Sequence, residues 1–412
     1  MKNKPRLFLY FLAASLLFWI SSTSVTAAPL VSIGDNTDIF FNGSSSLRWS
    51  SNLFRNENNE ESDSSWTVSP GFEINVGRGI SNADLTVVTR YDVVSYQDNE
   101  YLDTELFHIE ALGSYETSRL SVNGSASYNE TKINTPENNI LDDLVELNTT
   151  SVDFDAEYRV SPKFSFSAGY KYSETEYQTY QDSFSDRETT RFPLNVYYEL
   201  TPKLDLILGY THSITDIKGR SRLLGPGFTE VLTGYDKDSD FFNVGLRGNI
   251  LTKLTGYFKI GHRTISAGDT NTLVNGIVDP NQTIDRDNSG MLGLDANLTW
   301  MASSKLLVQL ALSRDFGTGG LGEAVETDSA NLIGNYSFNA HWSAMANLGY
   351  TERDTSNFPR ENELLTGGLR LMYVLNTYWR FSAGYSYSDN ESNQVDSDYQ
   401  SETLDLTAIL RY

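Results

Sequence analysis

The sequence predicts an all-β fold: a transmembrane, antiparallel up-and-down β-barrel of about eighteen strands, with sixteen as the alternative. Three observations predict it. Apolar and polar residues alternate with period two along most of the chain, the mark of strands with one apolar and one polar face. Short turns alternate with long polar loops, and helical periodicity is not sustained past the N-terminal segment. The chain also stops on such a strand. Leu404, Leu406, Ala408, Leu410 and Tyr412 share one side; Thr403, Asp405, Thr407 and Arg411 share the other, with Ile409 the apolar exception.

Residues 1–27 read as a cleaved secretory signal. Lys2, Lys4 and Arg6 precede an apolar run from Leu7 to Ile20, and Val25, Thr26 and Ala27 offer small residues for cleavage before Ala28. Residues 28–37 then form a short periplasmic extension, and 38–412 the barrel. No cysteine is present, which excludes a lipoprotein anchor, disulfides and thiolate metal sites. No later stretch reaches the roughly 20 apolar residues of a spanning helix. Mean hydropathy is −0.37, a value that a membrane barrel shares with soluble proteins because only every second residue meets lipid. Removing the three basic residues of the signal takes the net charge from −23 to −26 (−23 less 3). Such acidity argues against nucleic acid as a partner.

Eight short turns fall at 78–82, 117–120, 160–164, 200–204, 251–254, 301–306, 340–342 and 375–379. Pro162 and Pro202 suit turns because proline donates nothing to a ladder. A Gly-Tyr pair follows four of them: Gly169-Tyr170, Gly209-Tyr210, Gly349-Tyr350 and Gly384-Tyr385. Between turns the strands alternate. Phe164, Phe166, Ala168 and Tyr170 share a face, as do Leu204, Leu206, Leu208 and Tyr210, and Leu292, Leu294, Ala296 and Leu298. The other connections are long and mostly acidic, at 56–64 (NENNEESDS), 174–186, 217–236, 266–287 and 317–327. In outer-membrane barrels short turns face the periplasm and long loops face outside. Eight short turns between nine hairpins give eighteen strands; a weak apolar face on the first, residues 38–54, leaves sixteen open. A soluble sandwich would have to bury every apolar face against a second sheet, whereas a closed barrel in lipid satisfies all edges at once.

The terminal strand resembles the assembly signal of bacterial outer-membrane barrels, carried here by Leu404, Leu406, Leu410 and Tyr412. That resemblance implies the barrel assembly machinery as a partner, and outer-membrane lipid and lipopolysaccharide as surroundings. The turn-strand units SPKFSFSAGYKYS (161–173), TPKLDLILGYTHS (201–213) and NTYWRFSAGYSYS (376–388) resemble the putative β-barrel porin 2 family of Gram-negative bacteria. The likeness implies an outer-membrane barrel associated with exopolysaccharide systems, and hence periplasmic polysaccharide-export components as partners.

The search for chemistry is mostly negative. His108, His212, His262 and His341 are the four histidines, and none has the spacing of a catalytic triad or metal site. No phosphate loop occurs, and Asp236–Asp240 (DKDSD) reads as a solvated loop. No catalytic residue, metal or cofactor is expected.

The lumen face is more informative. If the apolar residues meet lipid, Arg90, Lys171, Arg191, Arg247, Lys259, Arg263, Arg370, Arg380 and Arg411 point inward, with Asp92, Glu110, Asp153, Asp155, Glu157, Glu199, Asp205, Asp295 and Asp405. Intramembrane charges usually pair, so a lattice of neutralising pairs is one reading. The other is a pore-lining basic track of Lys171, Arg191, Arg247, Lys259, Arg263, Arg370 and Arg380 that guides an anionic solute or polymer. Arg247 and Lys259 count to similar heights from the turn at 252–253. No acid lies on the lumen face of their two strands between Asn243 and Arg263, which favours a track there. Tyrosines on the lipid face, with Trp300, Trp342 and Trp379, predict aromatic girdles; Tyr197 and Tyr257 point inward. The expected function is a passive outer-membrane channel for exopolysaccharide export. An uptake porin and a non-conducting scaffold are the alternatives.

Overall fold

Alternation along each segment forces a two-faced strand, and the eighteen such strands among the described residues share a single sheet. They run antiparallel with 13 to 17 residues each, from Thr37–Ser50 to Tyr399–Arg411. The computed structural model describes residues 28–412 except 78–80, 135–142, 226–227, 279–287, 321 and 356–359. The expected signal segment, part of the first short turn and part of the 266–287 loop lie outside the described residues. Every barrel strand bonds to both neighbours, and the last closes on the first from Asn42↔Arg411 to Ser50↔Thr403. Tyr412 completes the seam: Phe41 N–H donates to its carbonyl at 2.6 Å, and its own N–H donates to the Phe41 carbonyl at 2.8 Å. Closure leaves no exposed sheet edge, the condition for a β-structure in hydrocarbon.

Eighteen strands, not sixteen, form the wall. Thr37–Ser50 is a full member, bonded to Asp63–Val76 on one side and Tyr399–Arg411 on the other. Its apolar face reads weakly because Gly43 and Ser45 interrupt it between Phe41 and Leu47. The neighbouring Trp66 covers that gap, its indole N–H donating to Ser45 Oγ at 2.9 Å. The faces divide as alternation requires. Leu208, Phe242, Leu292 and Leu406 are 57–60 % exposed on the outside, while Ser167, Asn195 and Ile207 on the opposite face are buried.

Five of the eight short turns share one local device. Thr117 Oγ1, Ser161 Oγ and Ser303 Oγ accept from the backbone N–H three residues on, at 3.0, 3.2 and 3.1 Å. Asn339 and Asn376 do the same with Oδ1 for Trp342 and Trp379. A side chain that satisfies the turn amide lets the chain reverse in few residues. On the opposite side the strands extend past the expected loop starts, through Tyr177, Ile217, Ala267 and Thr318. The connection expected at 317–327 is only residues 319–323. Beyond the lipid the ladder continues but no apolar face is required, so alternation fades before the strand ends. Residues 220–225, 228–232, 272–274 and 277–278 form a separate four-stranded sheet from two of these loops.

Aromatic rings band the outside at two levels. Trp342–Tyr373, Phe164–Tyr198 and Tyr378–Tyr412 lie beside the short turns, with ring centroids 4.7, 5.1 and 5.6 Å apart. Tyr210–Phe242 and Tyr170–Phe192 lie farther out. Tyr210 OH donates to Asp240 at 2.6 Å and Tyr387 OH to Asp389 at 3.2 Å. The ring meets lipid while the hydroxyl reaches a polar layer, the usual place for an amphipathic ring.

Candidate functional site

The lumen is wet. Lys171 and Arg191 point inward, yet their side chains are 48 % and 42 % exposed. Barrels of sixteen to eighteen strands enclose an aqueous channel rather than a packed core. Glycine on the inner face leaves room for long side chains to lie across the wall. A Cβ at Gly384 would strike the Asp405 carboxylate, which Arg370 Nη2 reaches at 2.9 Å from two strands away. The recurrent Gly-Tyr pair thus has a reason here: glycine inside for the charges, tyrosine outside for the girdle.

The outer mouth is narrowed from two sides. Strands Leu306–Thr318 and Ala324–Ser337 stay paired to their tip at Thr318↔Ala324. Pairing between Ser289–Met301 and Leu306–Thr318, however, stops at Leu294↔Arg314. The hairpin tip therefore leaves the wall and crosses the lumen toward the strands six to three places away. Lys237 Nζ donates to the Gly317 carbonyl at 2.7 Å and Tyr235 OH to the Gly322 carbonyl at 2.6 Å. Ser185 N–H donates to the Gly320 carbonyl at 3.0 Å. Gly320 packs against Phe184 and Tyr177, where a side chain would crowd both rings. On the other side, Phe54, Leu102 and Leu144 from three loops form a buried apolar cluster backed by Leu53 and Tyr96. Residues 51–56 turn inward over the last strand, with Asn52 Nδ2 donating to the Gln400 carbonyl at 3.0 Å and Ser401 Oγ to the Asn52 carbonyl at 3.1 Å.

The basic residues expected to line the pore do point inward, and most carry acids. Arg247 makes a two-pronged contact with Glu157, both at 2.7 Å, and reaches Asp205 at 2.9 Å. Its guanidinium lies 3.3 Å over the Tyr197 ring. Arg263 and Arg191 both meet Asp315, at 2.8 and 3.3 Å. Lys259 is 3.8 Å from Asp295, Lys171 pairs with Asp153, and Arg370 with Asp405. Arg411, stacked on Phe40, reaches Glu73 at 2.7 Å. Arg380 sits just past the 375–378 turn, at the periplasmic mouth, opposite Val374 and Ile409.

This geometry corrects the argument for unpaired bases at Arg247, Lys259 and Arg263. Their own strands carry no lumen acid, but four other strands supply Glu157, Asp205, Asp295 and Asp315. Glu157 comes from four strands away and Asp315, just past the point where its hairpin leaves the wall, reaches Arg191 across five, so charges about a quarter of the circumference apart meet inside the lumen. Register differs as well: a bulge between Asn249 and Leu251 sets Arg247 opposite Tyr257, and Lys259 opposite Gly245. Nothing in a strand-by-strand reading reveals contacts across a lumen. Inward cations that the sequence reading passed over include Arg48, Arg187, Lys237 and the loop residue Arg55.

A lattice of pairs has a testable consequence. Arg247→Gln leaves Glu157 and Asp205 facing each other, at a cost of about 1–3 kcal/mol for partly buried carboxylates. The temperature at which the folded, gel-compact form is lost should fall. Adding Glu157→Gln and Asp205→Asn should restore most of it. No rescue by those two changes would contradict the lattice.

Two family descriptions match separate parts of the chain. Putative beta-barrel porin 2 matches residues 285–412, and putative MetA-pathway of phenol degradation matches residues 53–185. The turn-strand unit at 376–388 lies inside the first match, as does the closing strand. No curated protein matches the sequence. Among solved structures, the chain is similar to the ferric-catecholate import receptor Fiu of E. coli K12, at 10% identity over 94% of this chain and 82% of that one, with a TM-score of 0.44. It is similar to the outer membrane protein OpdK of Pseudomonas aeruginosa at 12% identity over 91% and 99%, with a TM-score of 0.38. OpdQ of the same bacterium gives 10% identity, 91% and 97%, and a TM-score of 0.41.

Proposed function

From a porin-like outer-membrane barrel whose last third matches the putative beta-barrel porin 2 family, we propose a passive channel of narrow bore that takes part in exopolysaccharide export. The observation that carries the channel is the wet, charge-lined lumen, in which inward Lys171 and Arg191 remain about half exposed. The inward hairpin and loops leave a passage suited to an extended chain or a small solute rather than a folded protein. Charge placement supports the outward direction. Arg119, Arg159, Lys163, Lys203, Lys253 and Lys305 mark the short turns, while the opposite loops are acidic. Such a field supplies no energy, but it raises the rate at which an anion enters from the basic side. A host lacking the protein should lose surface polymer and retain it in the periplasm. Unchanged surface polymer would remove the export reading and leave the channel standing.

A second reading has its own support. The match over residues 53–185 is to a family described by phenol degradation, which favours uptake of small aromatic solutes. Growth of the deletion strain on limiting phenolic acids separates the two: a growth defect with normal surface polymer selects uptake.

A further inference from the structure

We propose that Arg48 and Arg55 form an anion-binding site in the lumen, and that this site, rather than the paired wall around Arg247, gives the channel its preference for carboxylate- or phosphate-bearing solutes. The inference rests on the channel reading above. Arg48 lies on Thr37–Ser50 with Leu47 and Trp49, both exposed to lipid, on either side of it in sequence, so its side chain points inward. Protein atoms surround it on most sides, yet solvent reaches it, as expected of a group lining a narrow wet passage. Tyr96, Asp405 and Arg55 are the titratable groups near it. Asp405 stands directly opposite in the ladder but is engaged by Arg370. Among the described residues, Arg48 has no ion pair.

Arg55 comes to the same wall from the loop. Residues 51–56 are pinned over the last strand through Asn52, and Asn56 N–H donates back to Asn52 Oδ1 at 3.0 Å. Arg55 itself adopts φ 56°, a left-handed conformation that is unfavourable for an arginine and persists only where its surroundings hold it. The result sets its guanidinium 5.4 Å from the ring centre of inward-facing Tyr399. No ion pair of Arg55 occurs among the described residues either. Two neighbouring cations in a confined lumen repel one another unless an anion lies between them. Elsewhere on this wall Arg247, Arg263, Arg370 and Arg411 have their acids. At Arg48 the facing acid, Asp405, is held by Arg370, and Arg55 has no acid paired with it among the described residues, so a passing solute can supply the balancing charge.

The test uses the purified full-length barrel in planar bilayers under a KCl gradient, with inorganic phosphate as the multivalent probe. Wild type should favour chloride, and phosphate should reduce its current. Arg48→Gln with Arg55→Gln should lower the anion-to-cation permeability ratio at least about twofold at low salt, with the difference shrinking near 1 M. Phosphate inhibition should be lost. Arg48→Lys with Arg55→Lys should retain chloride preference. If the double Gln variant fails to fold, Arg55→Gln alone, in the loop, should give a partial shift. Unchanged reversal potential and phosphate inhibition in a folded Gln variant overturn the site but not the channel. A folded wild-type barrel that passes no current overturns both.

Discussion

A chain lacking Tyr412 is expected to reach the outer membrane as a folded barrel at a level reduced roughly tenfold or more. Tyr412 supplies both hydrogen bonds of the last seam pair, to Phe41 at 2.6 and 2.8 Å, and its ring lies 5.6 Å from Tyr378. Two backbone bonds at about 1 kcal/mol each and a ring pair at about 0.5–1.5 kcal/mol together weaken closure by about 2.5–3.5 kcal/mol. That estimate excludes any effect on recognition by the assembly machinery, for which Leu404, Leu406, Leu410 and Tyr412 resemble the signal. Heat-modifiable mobility of the membrane fraction measures the folded amount. Tyr412→Phe should retain assembly, because the backbone bonds and the ring remain. Wild-type levels of the deletion variant would mean that neither the seam pair nor the terminal aromatic matters to assembly.

Shortening the inward hairpin should raise conductance. Replacing residues 319–323 by Asn-Gly, a two-residue turn suited to a hairpin, keeps the Thr318↔Ala324 pair and removes the carbonyls that Tyr235, Ser185 and Arg187 now engage. The tip would no longer cross toward Phe184 and Tyr177. The outer mouth then widens, and single-channel conductance should rise about two- to threefold, as expected when a constriction limits flow. Asp315 lies outside the replaced residues, so its pairs with Arg191 and Arg263 should persist and the wall should keep its stability. An unchanged conductance would show that the limiting constriction lies elsewhere, with the loops around Phe54 and Leu102 the next place to cut.

The wall was legible in the sequence because each strand reports its own orientation. Leu204 to Tyr210 alternate by two, and lipid demands that alternation on every strand. The short turns at 117–120, 160–164, 301–306 and 375–379 were legible for a similar reason, since each reverses the chain within a few residues; the side chains that hold them are seen only in the structure. The first strand was harder, because its outer face is filled in by Trp66 from its neighbour. The lumen was only half legible. Parity showed that Arg247, Lys259 and Arg263 point inward, but Glu157 and Asp315 reach these walls from four and five strands away, and no local pattern encodes such a contact. The inward hairpin at 315–326 was missed because its strands alternate little beyond the lipid and its tip is glycine-rich. Arg48 was passed over because its strand reads weakly, and Arg55 because it stands beside a run of acidic loop residues.

The most direct measurement is single-channel recording of the purified, folded wild-type protein in a planar bilayer. A passive channel predicts discrete current steps that scale linearly with voltage, with a reversal potential displaced toward chloride. A folded barrel that gives no steps, and stays silent after residues 319–323 are shortened, would contradict the channel and leave a non-conducting scaffold.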